Sequence, residues 1–416
     1  MDSGVAGEPL SRPLIETPPA GRRDSRPGLS GVPLAELGRW LAERGHPAYR
    51  ARQVADHLWA ASAVSCAEFR TLPLVLRGEI DESYRVDTLG HSEISLADGG
   101  LTEKWLHQLD DGRTIESVLM RYPARGPRRA RATVCISSQA GCAVGCPFCA
   151  TGELGFWRDL TAAEIIDQVR FWRRRLAGEG RRLTNVVFMG MGEPLLNVVP
   201  VLEAAAALTD PRRFALGARH VTISTSGVLP GIERLIELRP QYTLAVSLHA
   251  ARPALRDVLV PLNRRYPVHE IVAAAGRYAS LTGRRVTYEY VMIESINDTP
   301  ADARELVRLL ADQPAHVNMI PMNPVAHTPW QPSSPERIEA FAAVLRSAGV
   351  RSTLRRNRGL EIGAACGQLA DDRAGGPTPS AVARRRELLV IQSAAALGPA
   401  SAGAANGVLP GARAGR

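Results

Sequence analysis

The stretch "CISSQAGCAVGCPFCA" (135–150) carries four of the chain's six cysteines, and three of them, Cys142, Cys146 and Cys149, stand in the spacing C-x3-C-x2-C. Three thiols in eight residues can bind metal or do redox chemistry. A fully protein-bound iron–sulfur cluster uses four cysteines and a structural zinc site four Cys or His, so three thiolates imply an iron left free to bind something else. The competing reading is a Cys3His zinc site completed by a distant histidine, and the paired-knuckle spacing usual for zinc is absent.

Length and composition narrow the setting for that chemistry. A chain of 416 residues can bury one large core plus a smaller accessory domain. No run approaches the ~20 apolar residues that span a bilayer, and the first residues lack a secretory apolar core. A cytoplasmic protein with no membrane partner is therefore expected, and in that reducing compartment clustered thiols serve metal or redox work rather than a disulfide framework. Lys and Arg number 51 against 42 Asp and Glu, a net charge of +9. The excess gathers in three arginine runs, "RYPARGPRRAR" (121–131), "RFWRRRLAGEGRR" (170–182) and "RSTLRRNRG" (351–359). Each suits a phosphate backbone and each, alone, equally suits a solvated face; convergence on one surface would decide.

The elements that position the thiols follow from periodicity. Residues 1–30 are rich in Pro, Gly and Arg and read as a disordered tail, and 371–416, ending in low-complexity Ala/Gly, as a largely disordered extension. Residues 31–86 read as a small helical domain suited to gripping RNA, from "PLAELGRWLAERG" and "AYRARQVADHLWAAS". From residue 87 to 131 the period changes to two, and the "DDG" inside "EKWLHQLDDGRTIESVLMRY" signals a hairpin in a β-ribbon linker. From 132 to 370 six strand-like runs ("ATVCISS", "TNVVFMG", "HVTISTS", "YTLAVSLHA", "RVTYEYVMI", "HVNMIPMNP") alternate with amphipathic helices, the first opened by a Thr161–Glu164 capping box. This is an α/β fold with a parallel sheet. Polar and Gly-rich segments follow the strands, where α/β barrels place their sites.

"GCAVGCPFCATGELGF" followed by "MGMGEPLLN" resembles the radical S-adenosylmethionine (SAM) enzymes. With "ATVCISSQAGC", "STSG", "SLHA", "EYVMI", "IPMNP" and "AACGQLA" in order, residues 35–370 resemble the adenine-C2 RNA methyltransferases, dual-specificity enzymes for ribosomal and transfer RNA. The resemblance implies a partial (β/α)6 radical SAM barrel. In it Cys142, Cys146 and Cys149 would bind a [4Fe–4S] cluster, with the open iron chelating SAM, and Gly192, Glu193, Ser224, Ser247, Leu248, His249 and Asn323 match the family's SAM contacts.

Adenine C2 lies between two ring nitrogens and is too electron-poor to attack a sulfonium methyl. The resemblance implies a radical route: one SAM methylates a cysteine, a second yields a 5′-deoxyadenosyl radical that takes hydrogen from that S-methyl, and the carbon radical adds to C2. Protein and RNA are then joined, and a second thiol must release the product by forming a disulfide. Cys366 in "AACGQL" matches the methyl carrier, Cys135 the resolving thiol and Glu116 in "IESVLM" the proton acceptor. The alternative for Glu116 is an exposed strand glutamate, and Cys66 reads as a small buried hydrophobe. Two departures from the family stand out: a basic insertion between Glu116 and Cys135, and Gly363 where relatives commonly carry an acid. The implied activity is methylation of 23S rRNA, extending to tRNA, by a monomer using two SAM per turnover and an external electron donor. The alternatives are the sister group that methylates C8, with Pro194 in "MGMGEP" resembling the C2 group more closely but not separating the two, and a non-catalytic, metal-stabilised RNA-binding module.

Overall fold

The computed structural model describes residues 24–127 and 129–369. Helices α1 (Leu34–Glu43), α2 (Tyr49–Ala55) and α3 (Leu74–Ser83) come first. α1 buries Leu37 and Leu41, and α3 buries Leu76 and Ile80, each pair one helical turn apart. These faces join the hydrophobic core that runs on through the sheet rather than closing one of their own. Residues 1–23 lie outside the described residues. The rest of the expected disordered tail is corrected: Leu29 is 1% exposed and its N–H donates to Arg85 O at 2.8 Å. A composition averaged over thirty residues does not register one leucine with a place to pack.

Strands β1 (Gly90–Ala97), β2 (Thr102–Gln108) and β3 (Thr114–Tyr122) form an antiparallel meander, with Leu109 N–H donating to Arg113 O at 2.7 Å across the "DDG" turn. The chain continues through β4 (Arg131–Cys135), β5 (Gln139–Gly141), α4 (Ala150–Leu154), β6 (Phe156–Asp159), α5 (Ala162–Gly178), β7 (Asn185–Phe188) and α6 (Val198–Thr209). Next come β8 (Val221–Thr225), α7 (Leu229–Leu238), β9 (Thr243–Ser247), α8 (Pro253–Leu259), α9 (Val268–Thr282) and β10 (Val286–Met292). The described chain closes with α10 (Pro300–Leu309), β11 (Ala315–Pro321), α11 (Pro335–Ser347) and β12 (Arg351–Leu354).

Ten strands form one sheet in the order β1-β2-β3-β4-β7-β8-β9-β10-β11-β12. It is parallel from β4 onward, the alternation with helices supplying the crossovers. Two features go beyond the sequence reading. The ribbon pairs through β3 directly onto β4, Val118 opposite Cys135, so it extends the barrel sheet instead of linking to it. β12 adds a parallel strand after the six expected ones; its "RSTL" is short, polar and half exposed, and carries no alternation to read. The capping box is present, with Glu164 N–H donating to Thr161 Oγ1 at 3.2 Å and Thr161 N–H to Glu164 Oε2 at 2.8 Å. Among the described residues, no helix is long and apolar enough to cross a membrane.

Candidate active site

The thiol-bearing loop leaves β5 and returns through α4 to β6. β5 and β6 pair with each other, Gln139 opposite Asp159, and Cys142 N–H donates to Gly155 O at 2.7 Å, so the loop is clamped at its base. Gly152 in α4 lies on the backbone of Cys146, where an added Cβ would stand 3.0 Å from both N and O of that residue. The three thiols line one cavity at the C-terminal ends of the parallel strands, and Gly192, Glu193, Ser224, Ser247, His249, Asn323 and Cys366 line it with them.

Burial pushes the Cys142 thiol up to about 12, Cys146 well above its ordinary range and Cys149 upward. Next in weight, for Cys142 and Cys146 alike, comes repulsion from Cys149, whereas N–H groups of Gly152 and Thr151 and the Thr151 hydroxyl pull Cys149 back down. Such thiols hold their protons until a metal displaces them. Among the described residues no three Cys, His, Asp or Glu converge on a single ion. The thiols instead surround a shared volume, which suits a cubane taking one thiolate per iron and not a compact Cys3His zinc site.

The other cavity residues divide by what they touch. Glu193 is 3% exposed, and its carboxylate accepts from Leu195 N–H at 3.0 Å, Ser226 N–H at 2.6 Å and Ser226 Oγ at 2.7 Å, so it braces the turns after β7 and β8. Gly192 has φ +98°, and an added Cβ would meet Gln139 Cβ at 2.5 Å; that Gln139 accepts from Glu193 N–H at 2.8 Å. The Ser224 and Ser247 hydroxyls stand 3.4 Å apart. His249 accepts from Val291 N–H at 3.1 Å through Nδ1, burial pushes its pKa down to about 3, and Phe148 of the thiol loop packs edge-on against its ring. Asn323 Oδ1 is buried and, among the described residues, without a hydrogen-bond partner, an open acceptor suited to the ammonium of SAM.

Cys366 sits on a strap drawn over the cavity. Asn323 Nδ2 donates to Cys366 O at 2.8 Å, Ala150 N–H to Gly367 O at 2.7 Å, Thr151 Oγ1 to Leu369 O at 2.5 Å and Gln368 Nε2 to Pro324 O at 2.9 Å. Cys366 also lines an adjoining pocket with Cys135, Met120, Tyr122, Met189 and Arg355. Cys135 is 7% exposed at the end of β4, its thiol pushed up to about 12 by burial and by Cys366 beside it. All six cysteines are free thiols, and Cys66 is buried as a small hydrophobe.

Two expected residues stand off the cavity walls. The Leu248 side chain is wholly buried, and its carbonyl accepts from Arg256 Nε at 2.9 Å. Glu116, on β3, lines neither cavity; it is 3% exposed rather than surface-facing and pairs with Lys104 Nζ at 2.8 Å. Gly363 has φ +60°, and a Cβ there would lie 3.6 Å from the same Lys104 Nζ. The sequence reading missed two arginines. Arg355 lines both cavities and is held as a cation, first by Cys366 and next, against burial, by Glu289. Arg256 is fully buried and donates to Leu248 O, Ser226 O at 2.6 Å and Ser247 O at 3.2 Å, tying together the turns after β8 and β9. Only the basic run 351–359 hinted at Arg355; nothing local marks Arg256.

Residues 136–310 match the family model of the radical SAM superfamily. The chain is 45% identical over 367 residues to "Probable dual-specificity RNA methyltransferase RlmN" of Acidothermus cellulolyticus, covering 82% of this chain and 85% of that protein. It is 45% identical over 357 residues to the protein of the same name from Gemmatimonas aurantiaca, covering 86% and 96%. The crystal structure of a radical SAM methyltransferase from Sphaerobacter thermophilus superposes with a TM-score of 0.79 at 46% identity, covering 82% of this chain and 99% of that one. With this likeness running the length of the barrel and through the thiol loop, the chain belongs to the RlmN family of radical SAM RNA methyltransferases.

Proposed function

We propose that this enzyme methylates C2 of an adenosine in 23S rRNA, and in tRNA as well, as a cytoplasmic monomer supplied by an external reductant. Cys142, Cys146 and Cys149 hold a [4Fe–4S] cluster, and SAM lies among Gly192, Glu193, Ser224, Ser247, His249 and Asn323, with Leu248 behind them. The observation that carries this reading is the place of Cys366, on a strap shared by the cluster cavity and the pocket of Cys135.

When bound, the cluster and two SAM per turnover supply a methyl group and a carbon-centred radical. The chain's own residues do the rest. Cys366 carries the methyl, and its hydrogen-bonded strap fixes the sulfur between cofactor and substrate. Once the carbon–carbon bond has formed and the adduct has given up one electron and the C2 proton, the Cys135 thiolate attacks the Cys366 sulfur: the S–S bond forms as the S–C bond breaks, the S–C electron pair leaves with the carbon, which takes a proton from solvent, and the external reductant reopens the disulfide. Glu116 matches the family's proton acceptor, but its carboxylate stands off both cavities, paired to Lys104 at 2.8 Å, so the proton lost from C2 is not assigned to it from this geometry.

The test uses SAM with a trideuterated methyl group and nucleoside mass spectrometry of the RNA product. The expected product is 2-methyladenosine with two deuteriums, one having gone to the radical and been replaced from solvent. Three retained deuteriums would mean direct methyl transfer, and methyl at C8 would move the enzyme to the sister reaction; either overturns the proposal.

A further inference from the structure

The three arginine runs meet different fates in the fold. In the 170–182 run three guanidiniums are taken up by close carboxylates: Arg170 is 3% exposed and pairs with Asp167 at 2.5 Å, Arg174 with Glu68 at 2.8 Å and Arg175 with Glu103 at 3.0 Å. Arg121 is likewise buried between Glu103 and Glu179. The expectation that all three runs suit phosphate is corrected for these, because each already has its counter-charge.

The remaining arginines converge. Arg125, Arg129 and Arg131 before β4 and Arg355, Arg356 and Arg358 after β12 line a single groove. Arg128 lies outside the described residues. Among the described residues, no carboxylate pairs with Arg125, Arg129, Arg131, Arg356 or Arg358. The acids at the groove are occupied: Asp98 accepts from Thr102 Oγ1 and from Gly359 N–H at 3.1 Å, and Glu289 accepts from Asn318 Nδ2 at 3.2 Å. Two of these cations are also held in place. The guanidiniums of Arg131 and Arg358 lie 4.1 and 4.4 Å from the Tyr122 ring centroid, and Arg358 Nη1 donates to Arg121 O at 3.0 Å. Fixed like charges without internal partners are poised for an external anion.

The groove leads inward. Its walls carry Thr133, Asn185, Thr222, Thr243, Thr287 and Asn318, where closed barrels stack branched apolar side chains. That polar lumen reaches the thiol pair, since Met120, Tyr122, Met189 and Arg355 line both the groove and the pocket of Cys135 and Cys366. A cationic rim over a wettable channel fits a polyanion that sends one flat, polar unit inside.

Resting on the functional reading that the substrate is RNA, we infer that a single-stranded RNA segment lies along this groove. Its phosphates meet Arg125, Arg129, Arg131, Arg356 and Arg358, and the target base passes along the lumen to Cys366. Arg170, Arg174 and Arg175, already paired, stay out of the contact. A basic insertion before β4 and a basic loop after β12 thus make one site, although more than two hundred residues separate them.

The test measures binding of a short single-stranded RNA oligonucleotide by fluorescence anisotropy across a salt series, with Cys366 methylation followed in every variant to verify folding. Arg129→Ala/Arg356→Ala is expected to reduce the slope of log K against log salt by about 1.4, roughly 0.7 per phosphate contact on a single strand. Arg174→Ala/Arg175→Ala, whose guanidiniums are paired with Glu68 and Glu103, keeps the wild-type slope. A groove variant with wild-type slope, or a control losing as much, overturns the groove while wild-type RNA methylation leaves the functional reading standing. A wild-type enzyme that neither binds nor methylates RNA defeats that reading itself.

Discussion

Removing the Cys135 sulfur is expected to separate the two halves of the reaction. Burial pushes the Cys135 thiol up to about 12, so at pH 7 only a small fraction of it is thiolate. Release of the RNA needs that thiolate as nucleophile, so in single-turnover experiments the release step quickens about tenfold per pH unit from pH 7 upward. The sign follows from deprotonation: the reactive form gains as pH rises and is lost as it falls. Cys135→Ala deletes the nucleophile altogether. Loss of one buried sulfur costs about 1 kcal/mol, too little to unfold a chain of this size. The purified variant is therefore expected to be folded and to carry RNA through a thioether at Cys366, seen as a nuclease-sensitive shift on a denaturing gel and as a peptide–nucleotide conjugate by mass spectrometry. Cys366→Ala carries neither methyl nor RNA. A Cys135→Ala protein that is free of RNA and turns over normally would refute the two-thiol argument, and a release rate indifferent to pH would refute the thiolate step.

Changing Cys142, Cys146 or Cys149 to Ala is expected to abolish iron–sulfur absorbance and SAM cleavage together; brown colour retained by an anaerobically purified single variant would sink the cluster assignment. His249 is pushed down to about 3 in the fold and takes up a proton near 6.5 once unfolded, so stability drops as pH falls below 6.5, by up to about 1.4 kcal/mol per unit until about 3. Urea unfolding between pH 7 and 5 checks this, and His249→Gln flattens the dependence if the histidine is its source. Thr161→Ala removes the cap of α5 and is expected to lower stability by about 1 kcal/mol with the cluster spectrum unchanged; an unaltered urea midpoint would show the cap to be idle.

Much of this molecule was legible along the chain. The C-x3-C-x2-C spacing, the six strands from 132 onward, the hairpin at Gly112 and the Thr161 cap are local, because thiol spacing, side-chain alternation and capping each span only a few residues. What the tertiary structure alone decided is non-local. Leu29 is buried because α5, more than a hundred residues on in the chain, packs against its turn. β12 is a strand because β11 presents an edge to pair with. Arg256 is buried because three carbonyls from two turns meet around it. The arginine runs make the point most fully: alike in composition, one has Arg170, Arg174 and Arg175 neutralised by Asp167, Glu68 and Glu103, while arginines of the two others meet across a groove with no acid to spare. Composition counts charges, but whether a charge is spent or available depends on which opposite charge the fold brings within a few ångströms of it.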